Sequence, residues 1–339
     1  MLLLVVVIVV VALVFDYING FHDAANSVAT VVATRVLTPF QAVIWAAFFN
    51  FVSVFSFGTG VAKTVGKGMV DLAAVTPYVI LCGLLGAIVW DLITWWLGLP
   101  TSSSHALFGG YAGAAMAHVA FLRGIHHALD PIIWSGWIMT LIFMIAAPFI
   151  GLALAYTFMV AIYWLFRGTT PKNMDVYFRK FQLVSAAIYS YAHGTNDAQK
   201  TMGIITGVLV SAGYLKTFEV PFWVIVCAGA AIALGTFTGG WRIVHTMGAR
   251  LTRLRPRSGF CAEAAAAVSI LLATHMKVGV STTHVITGAI AGVGSIQRVK
   301  AVRWGVAANI VWAWVLTIPA AAIVAALFFT VLHILVPAV

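Results

Sequence analysis

Charge is what this 339-residue chain lacks most, with 8% charged residues against about 25% in a soluble domain. Only nine acids are spread over its length. A chain this poor in charge cannot cover a water-exposed globule, which excludes a soluble enzyme and a disordered scaffold. Cysteine is also scarce. Cys82, Cys227 and Cys261 lie in apolar stretches without metal-ligand spacing, so a disulfide framework and a cysteine-bound metal are excluded, and the three read as buried small residues. No low-complexity tract and no long polar linker interrupts the chain. The apolar opening, residues 1–14, lacks a basic n-region and a small-residue cleavage site, so it reads as the start of a first span.

What is present is hydrophobic sequence: 62% of residues, with a mean hydropathy of +1.04. A span needs roughly 20 apolar residues, so the length allows about 10–12 transmembrane segments. The expected fold class is an all-α integral membrane protein, multi-pass in the cell membrane. Its net charge of +10 does not point to nucleic acid. Arg250, Arg253, Arg255 and Arg257 cluster in one loop, and Arg298, Lys300 and Arg303 in another, as topology-setting residues do.

Two polar motifs occur twice. Asn19-Gly20-Phe21-His22-Asp23-Ala24-Ala25-Asn26 recurs as His193-Gly194-Thr195-Asn196-Asp197-Ala198-Gln199-Lys200. Pro100-Thr101-Ser102-Ser103-Ser104-His105 recurs as Gly279-Val280-Ser281-Thr282-Thr283-His284. Similar motifs, in order and at nearly one offset, mark two repeats: residues 1–166, a polar connector 167–180, and residues 181–339. Duplicated polar sites within spanning sequence suggest a solute pathway between related halves, inverted if each crosses the bilayer an odd number of times. The motif segments are short, polar and rich in small residues. Broken helices or re-entrant hairpins are expected at both copies, since irregular backbone at membrane depth must be sheltered by protein or a wet cavity.

An intramembrane carboxylate is costly and functional by default, which singles out Asp23 and Asp197 for cation or proton coupling. Ser102, Ser103 and Ser104, and again Ser281, Thr282 and Thr283, precede Gly-rich helices. A helix N-terminus with adjacent hydroxyls suits a tetrahedral oxyanion. A cap needs one hydroxyl, not three. His105 and His284 follow directly and are candidates for orienting a hairpin or moving a proton. Gly109, Gly110, Gly113, Gly288 and Gly292 would let helices approach closely, within one chain or between copies in a homo-oligomer.

The two Asp-centred motifs resemble the duplicated Gly-x-Asn-Asp-x-x-Asn signature of the PiT inorganic phosphate transporters, and the hydroxyl clusters resemble that family's paired hairpins. The resemblance runs along essentially the whole chain. It implies an inverted-repeat symporter that moves phosphate with a cation and needs no cofactor. Asp23, Asn26, Asn196 and Asp197 would lie near the cation and phosphate sites, and Ser102–Ser104 with Ser281–Thr283 would hold the phosphate. Two residues depart from the signature: His22 stands at the first Asn, and Lys200 at the last Asn of the second copy. A protonated lysine cannot ligate sodium, but it can replace a cation as a tethered charge or pair with Asp197 or phosphate. The expected coupling ion is therefore the proton, with sodium as the alternative, and the substrate could travel as a divalent metal-phosphate complex. No firm metal site of the protein's own is expected. A sulfate permease on the same scaffold, a passive channel and an intramembrane metal-dependent hydrolase built on His22, His105, His193 and His284 with Asp23 and Asp197 are the competing readings.

Overall fold

A computed structural model describes residues 1–56, 58–296 and 298–336. Helices dominate, with six α-helices in each half among the described residues. The first half contains α1 (Leu2–Ala33), α2 (Pro39–Ser53), α3 (Gly60–Gly68), α4 (Pro77–Leu97), α5 (Ser103–Arg123) and α6 (Trp134–Leu165). The second contains α7 (Pro171–Ser211), α8 (Phe222–Thr238), α9 (Trp241–His245), α10 (Pro256–His275), α11 (Thr282–Ser295) and α12 (Trp304–Leu335). Among the described residues, α1, α4, α6, α10 and α12 are each long and apolar enough to cross a bilayer. α8 and the following segment to Arg250 make a sixth, bent by 59°. This is a multi-pass membrane architecture. Helix α7, interrupted by polar residues, and α11, only 14 residues long, do not meet that measure of length and hydropathy.

The chain breaks at one motif and not at the other. Helices α1 and α7 run without interruption through Asp23 and Asp197, where broken helices were expected. Their glycines serve contact instead. A Cβ on Gly20 would stand 2.2 Å from the Ile232 carbonyl oxygen, and one on Gly194 2.5 Å from Ser53 Oγ. The breaks fall at the hydroxyl clusters. Gly98, left-handed at φ 67°, ends α4 before α5 begins at Ser103. Lys277, also left-handed at φ 61°, follows α10 before α11 begins at Thr282. Two helical hairpins thus present Ser102–Ser104 and Ser281–Thr283 at their turns. The segment 167–180, read as a connector, gives residues 171–180 to the start of α7.

The two halves are antiparallel where they meet. Going along α1, Asp16 lies beside Thr201, Asp23 lies beside Asp197, and Thr34 donates to Gln182 Oε1 at 2.8 Å. Rising numbers on α1 therefore meet falling numbers on α7, the arrangement an inverted repeat requires. The halves also interlock, α5 lying on α12 and α11 on α6. A Cβ on Gly109 or Gly113 would meet the carbonyl oxygens of Ile318 or Ala322 at 2.4 and 2.2 Å. One on Gly288 or Gly292 would meet those of Pro148 or Leu152 at 2.0 and 2.4 Å. These glycine stripes are thus internal contacts between the halves, of the kind small residues make between membrane helices. Each of the two buried apolar clusters likewise mixes helices of both halves.

Basic residues gather at one end of the bundle. Arg257 pairs with Asp175 at 3.0 Å, Arg303 N–H donates to the Leu251 carbonyl at 3.0 Å, and Arg179 donates to the Arg35 carbonyl at 2.6 Å. Both sequence clusters and the 167–180 segment therefore share that end.

Candidate functional site

All four motifs converge on one buried polar centre, and the order of residues on each helix explains how. Asp23 and Asn26, three apart on α1, face the same way, as do Asp197 and Lys200 on α7. Because the halves are antiparallel and interlocked, each acid meets hydroxyls of its own repeat while the residue three positions on reaches into the other.

At the first corner, Ser103 donates to Asp23 Oδ1 at 3.4 Å and Thr283 to Asp23 Oδ2 at 3.5 Å. Asn26 Nδ2 donates to Thr283 Oγ1 at 2.8 Å. His22 Nδ1 lies 2.8 Å from Asp23 Oδ1, and its Nε2 lies 3.0 Å from Thr94 Oγ1. At the second corner, Thr282 donates to Asp197 Oδ2 at 3.2 Å. Lys200 Nζ donates to Asp197 Oδ1, to Ser104 Oγ and to the Val280 carbonyl. An ammonium has three donors, so all three are engaged. The corners are images of one another. Under the repeat, Asp23–Ser103 maps on Asp197–Thr282, and Asn26–Thr283 maps on Lys200–Ser104.

The remaining hydroxyls of the clusters have another use. Ser102 accepts from His105 N–H at 3.3 Å and Ser281 from His284 N–H at 3.2 Å, capping α5 and α11. Ser103, Ser104, Thr282 and Thr283 are left for the polar centre. Asn196 braces the α10–α11 turn, its amide nitrogen donating to Thr274 Oγ1 at 2.9 Å and to the Val278 carbonyl at 3.3 Å, while its buried Oδ1 is without a partner. His105 and His284 meet each other, ring centroids 4.8 Å apart, and His284 stacks on Trp314 at 3.9 Å. His284 Nδ1 also lies 3.2 Å from the Met144 carbonyl oxygen. The two rings thus join the hairpins to each other and to α6 and α12.

Sequence spacing offered no metal ligands, but the fold gathers some across the repeats. Ligand atoms of Asp23, His193 and Asp197 all lie within 4.8 Å of one another, and all three residues are buried. His193 Nε2 is 3.2 Å from Asp197 Oδ2, and its Nδ1 is 3.2 Å from Asn50 Oδ1. The oxygens and the imidazole could hold a small cation between the halves.

Three further acids went unnoticed in the sequence: Asp16, Asp91 and Glu263. With Asp23 and Asp197 they make five fully buried acids among the nine of the chain. The signal that would have found them is the one that found Asp23, an ionisable group within an apolar span. They lack an acidic counterpart in the other repeat, and duplication guided the reading. Glu263 is satisfied by Gln182 Nε2 at 2.9 Å and by the Ser185 hydroxyl. Asp16 and Asp91 have no hydrogen-bond partner on either carboxylate oxygen.

A cavity of about 1080 Å³ opens at the basic end. Arg253, Arg255, Arg257, Arg298, Lys300 and Arg303 line it, and it reaches Ala29, one turn of α1 beyond Asn26. Among the described residues, only Arg257 of these six forms an ion pair. The wall therefore carries unneutralised positive charge leading toward the polar centre.

The chain is similar to known proteins in sequence and in fold. A family model described as the phosphate transporter family matches residues 19–175 and 166–325. A probable low-affinity inorganic phosphate transporter of Rhizobium meliloti is 53% identical over 327 residues, covering 96% of each chain. One from Bacillus subtilis, with the same description, is 42% identical over 343 residues, covering 99% of each. A solved structure titled the sodium-dependent phosphate transporter superposes with a TM-score of 0.88 at 25% identity, covering 98% of this chain and 99% of that one.

Proposed function

Since the chain belongs to the phosphate transporter family, we propose that it carries inorganic phosphate across the plasma membrane by proton symport, with the basic end in the cytoplasm. It is a transporter and not an enzyme, which removes the hydrolase reading. Phosphate would sit between the N-termini of α5 and α11, held by Ser103, Ser104, Thr282 and Thr283 with Lys200 and Asn26 at its edges. Hydroxyl donors carry no charge of their own, so they orient the anion without the ion pairs that a ring of Arg or Lys clamps would add and that would slow its release. The basic cavity would receive the anion on the inner side, as positive residues favour the cytoplasmic end.

The observation that carries proton coupling is Lys200. Its ammonium occupies the space between Asp197, Ser104 and the Val280 carbonyl. At the equivalent first corner a neutral amide stands. A tethered cation there repels a sodium ion and leaves the proton as the mobile charge. A protonated or metal-complexed phosphate would reduce the charge that must cross.

The test is uptake of radiolabelled phosphate into proteoliposomes. An imposed inward pH gradient is expected to drive accumulation without sodium, and excess sulfate is expected not to compete. In Lys200→Asn, which copies the first corner, sodium dependence is expected to appear. Uptake by the parent protein that requires sodium would overturn the coupling reading, and accumulation of labelled sulfate would replace the substrate.

A further inference from the structure

The polar centre holds more acid than base. Asp16, Asp23, Asp91 and Asp197 are all fully buried, and Lys200 is the one Lys or Arg among the described residues placed in their midst. Lys200 is committed to Asp197. Asp23 is held by His22, Ser103 and Thr283. Asp16 is different. Neither of its oxygens has a hydrogen-bond partner. The side chains of Asn19 and Thr201 flank it, and Asn19 Oδ1 and Thr201 Oγ1 are also without a partner. All three residues are at most 2% exposed.

Four oxygen atoms without a partner thus belong to three neighbouring buried side chains on a membrane helix pair. A carboxylate buried this way is not sustained as a bare charge and requires a counter-ion. None is provided by the surroundings. Helix α8, which packs along α1, carries no charged residue. From α7, Asp197 and Lys200 face the group, and they pair with each other. We propose that Asp16, Asn19 and Thr201 form a second cation site, where the coupling cation is taken up. It lies two turns, about 10 Å, before Asp23 along α1, on the outer side in the orientation given above.

The donor set defines the ligand. It is oxygen only, with no sulfur or imidazole, so it suits a proton or a hard alkali cation and not a soft transition metal. The Thr201 hydroxyl can donate to one carboxylate oxygen, and Asn19 Oδ1 can accept from a proton on the other. Loading a cation would therefore satisfy every orphaned atom at once. The reason for a site here is Lys200, which fills the Asp197 corner with a charge that cannot leave. A mobile cation needs another carboxylate, and Asp16 is on its path to Asp23.

This inference rests on coupled phosphate transport, and its test separates the two. In proteoliposomes, gradient-driven accumulation is compared with phosphate-phosphate exchange, which needs no net cation movement. Asp16→Asn is expected to lose accumulation by about tenfold or more, within the range of typical site-to-site couplings, while exchange persists. Asp16→Glu is expected to restore accumulation. Both variants are run under a pH gradient and under a sodium gradient. If the parent is driven by sodium, the proton reading fails, but the site stands if Asp16→Asn abolishes the sodium-driven accumulation. Accumulation unchanged in Asp16→Asn overturns the proposal. Loss of exchange along with accumulation overturns it too, because Asp16 would then serve the phosphate site or the fold.

Discussion

At one corner of the polar centre Asn26 reaches across to Thr283, and at the other Lys200 reaches across to Ser104. The helices, the spacing and the partner type are the same. The charge is not. An amide can share Asp23 with hydroxyls and a visiting ion, whereas an ammonium binds Asp197 in a closed ion pair. The repeat builds two matching receptacles, and one substitution makes the second permanently occupied. Symmetry thus supplies the framework and the side chain at the third position after the acid divides the labour.

The sharpest way to break this comparison is to remove each acid in turn. Asp197→Ala leaves a buried ammonium without its counter-charge, which costs about 3–5 kcal/mol. Asp23→Ala removes bonds to hydroxyls and to His22, a loss of about 1–3 kcal/mol. Both variants are expected to lose phosphate uptake, so the discriminating readout is thermal unfolding of the purified proteins. A clearly larger drop in melting temperature for Asp197→Ala is expected. Equal drops would mean the corners are energetically alike and that Lys200 is not committed to Asp197.

Much of this arrangement was legible in the sequence because it is repeated. Asp23 and Asp197, the hydroxyl clusters and the departure at Lys200 were all visible as paired motifs in apolar surroundings. The position of the breaks was half legible. Glycine next to a polar motif suggested an unwound helix, but Gly20 and Gly194 are sites of close contact within unbroken helices. Only packing partners separate those two uses of glycine. Asn196 was placed near the centre with its neighbour Asp197, yet adjacent residues on a helix point about 100° apart, and its amide nitrogen braces a turn while its Oδ1 is without a partner. The meeting of Asp23 with His193 and Asp197 lay beyond sequence reasoning, since it depends on how antiparallel halves interlock. Asp16 and Asp91 were hidden for the opposite reason: they are the asymmetric residues, and a search for symmetry passes over them.

A smaller effect probes the interlocking itself. Gly109→Ala would place a methyl 2.4 Å from the Ile318 carbonyl oxygen, and the same change at its repeat counterpart, Gly288→Ala, one 2.0 Å from that of Pro148. Each pushes apart a contact between the halves, at about 1–3 kcal/mol. Since the two interfaces are repeat images, the expected losses in melting temperature are similar, in contrast to the unequal acids. A large loss at one position only would show that the scaffold, and not just the site, has become asymmetric.

The smallest expected difference lies within a single hydroxyl cluster. Ser102 spends its oxygen on the His105 N–H, so Ser102→Ala costs a helix cap, about 1 kcal/mol, and the phosphate dependence of uptake should stay near that of the parent. Ser103 has no such duty and donates to Asp23. Ser103→Ala should therefore raise the phosphate concentration for half-maximal uptake by about tenfold or more, the value of one hydrogen bond to a charged acceptor, beyond the stability lost with its bond to Asp23. The same contrast should hold between Ser281→Ala and Thr282→Val. A stability loss from Ser103→Ala with unaltered phosphate dependence would reverse the assignment, making Ser103 the structural member of the trio and moving the anion toward Ser102. The pair of measurements therefore tests at single-atom scale where capping ends and binding begins.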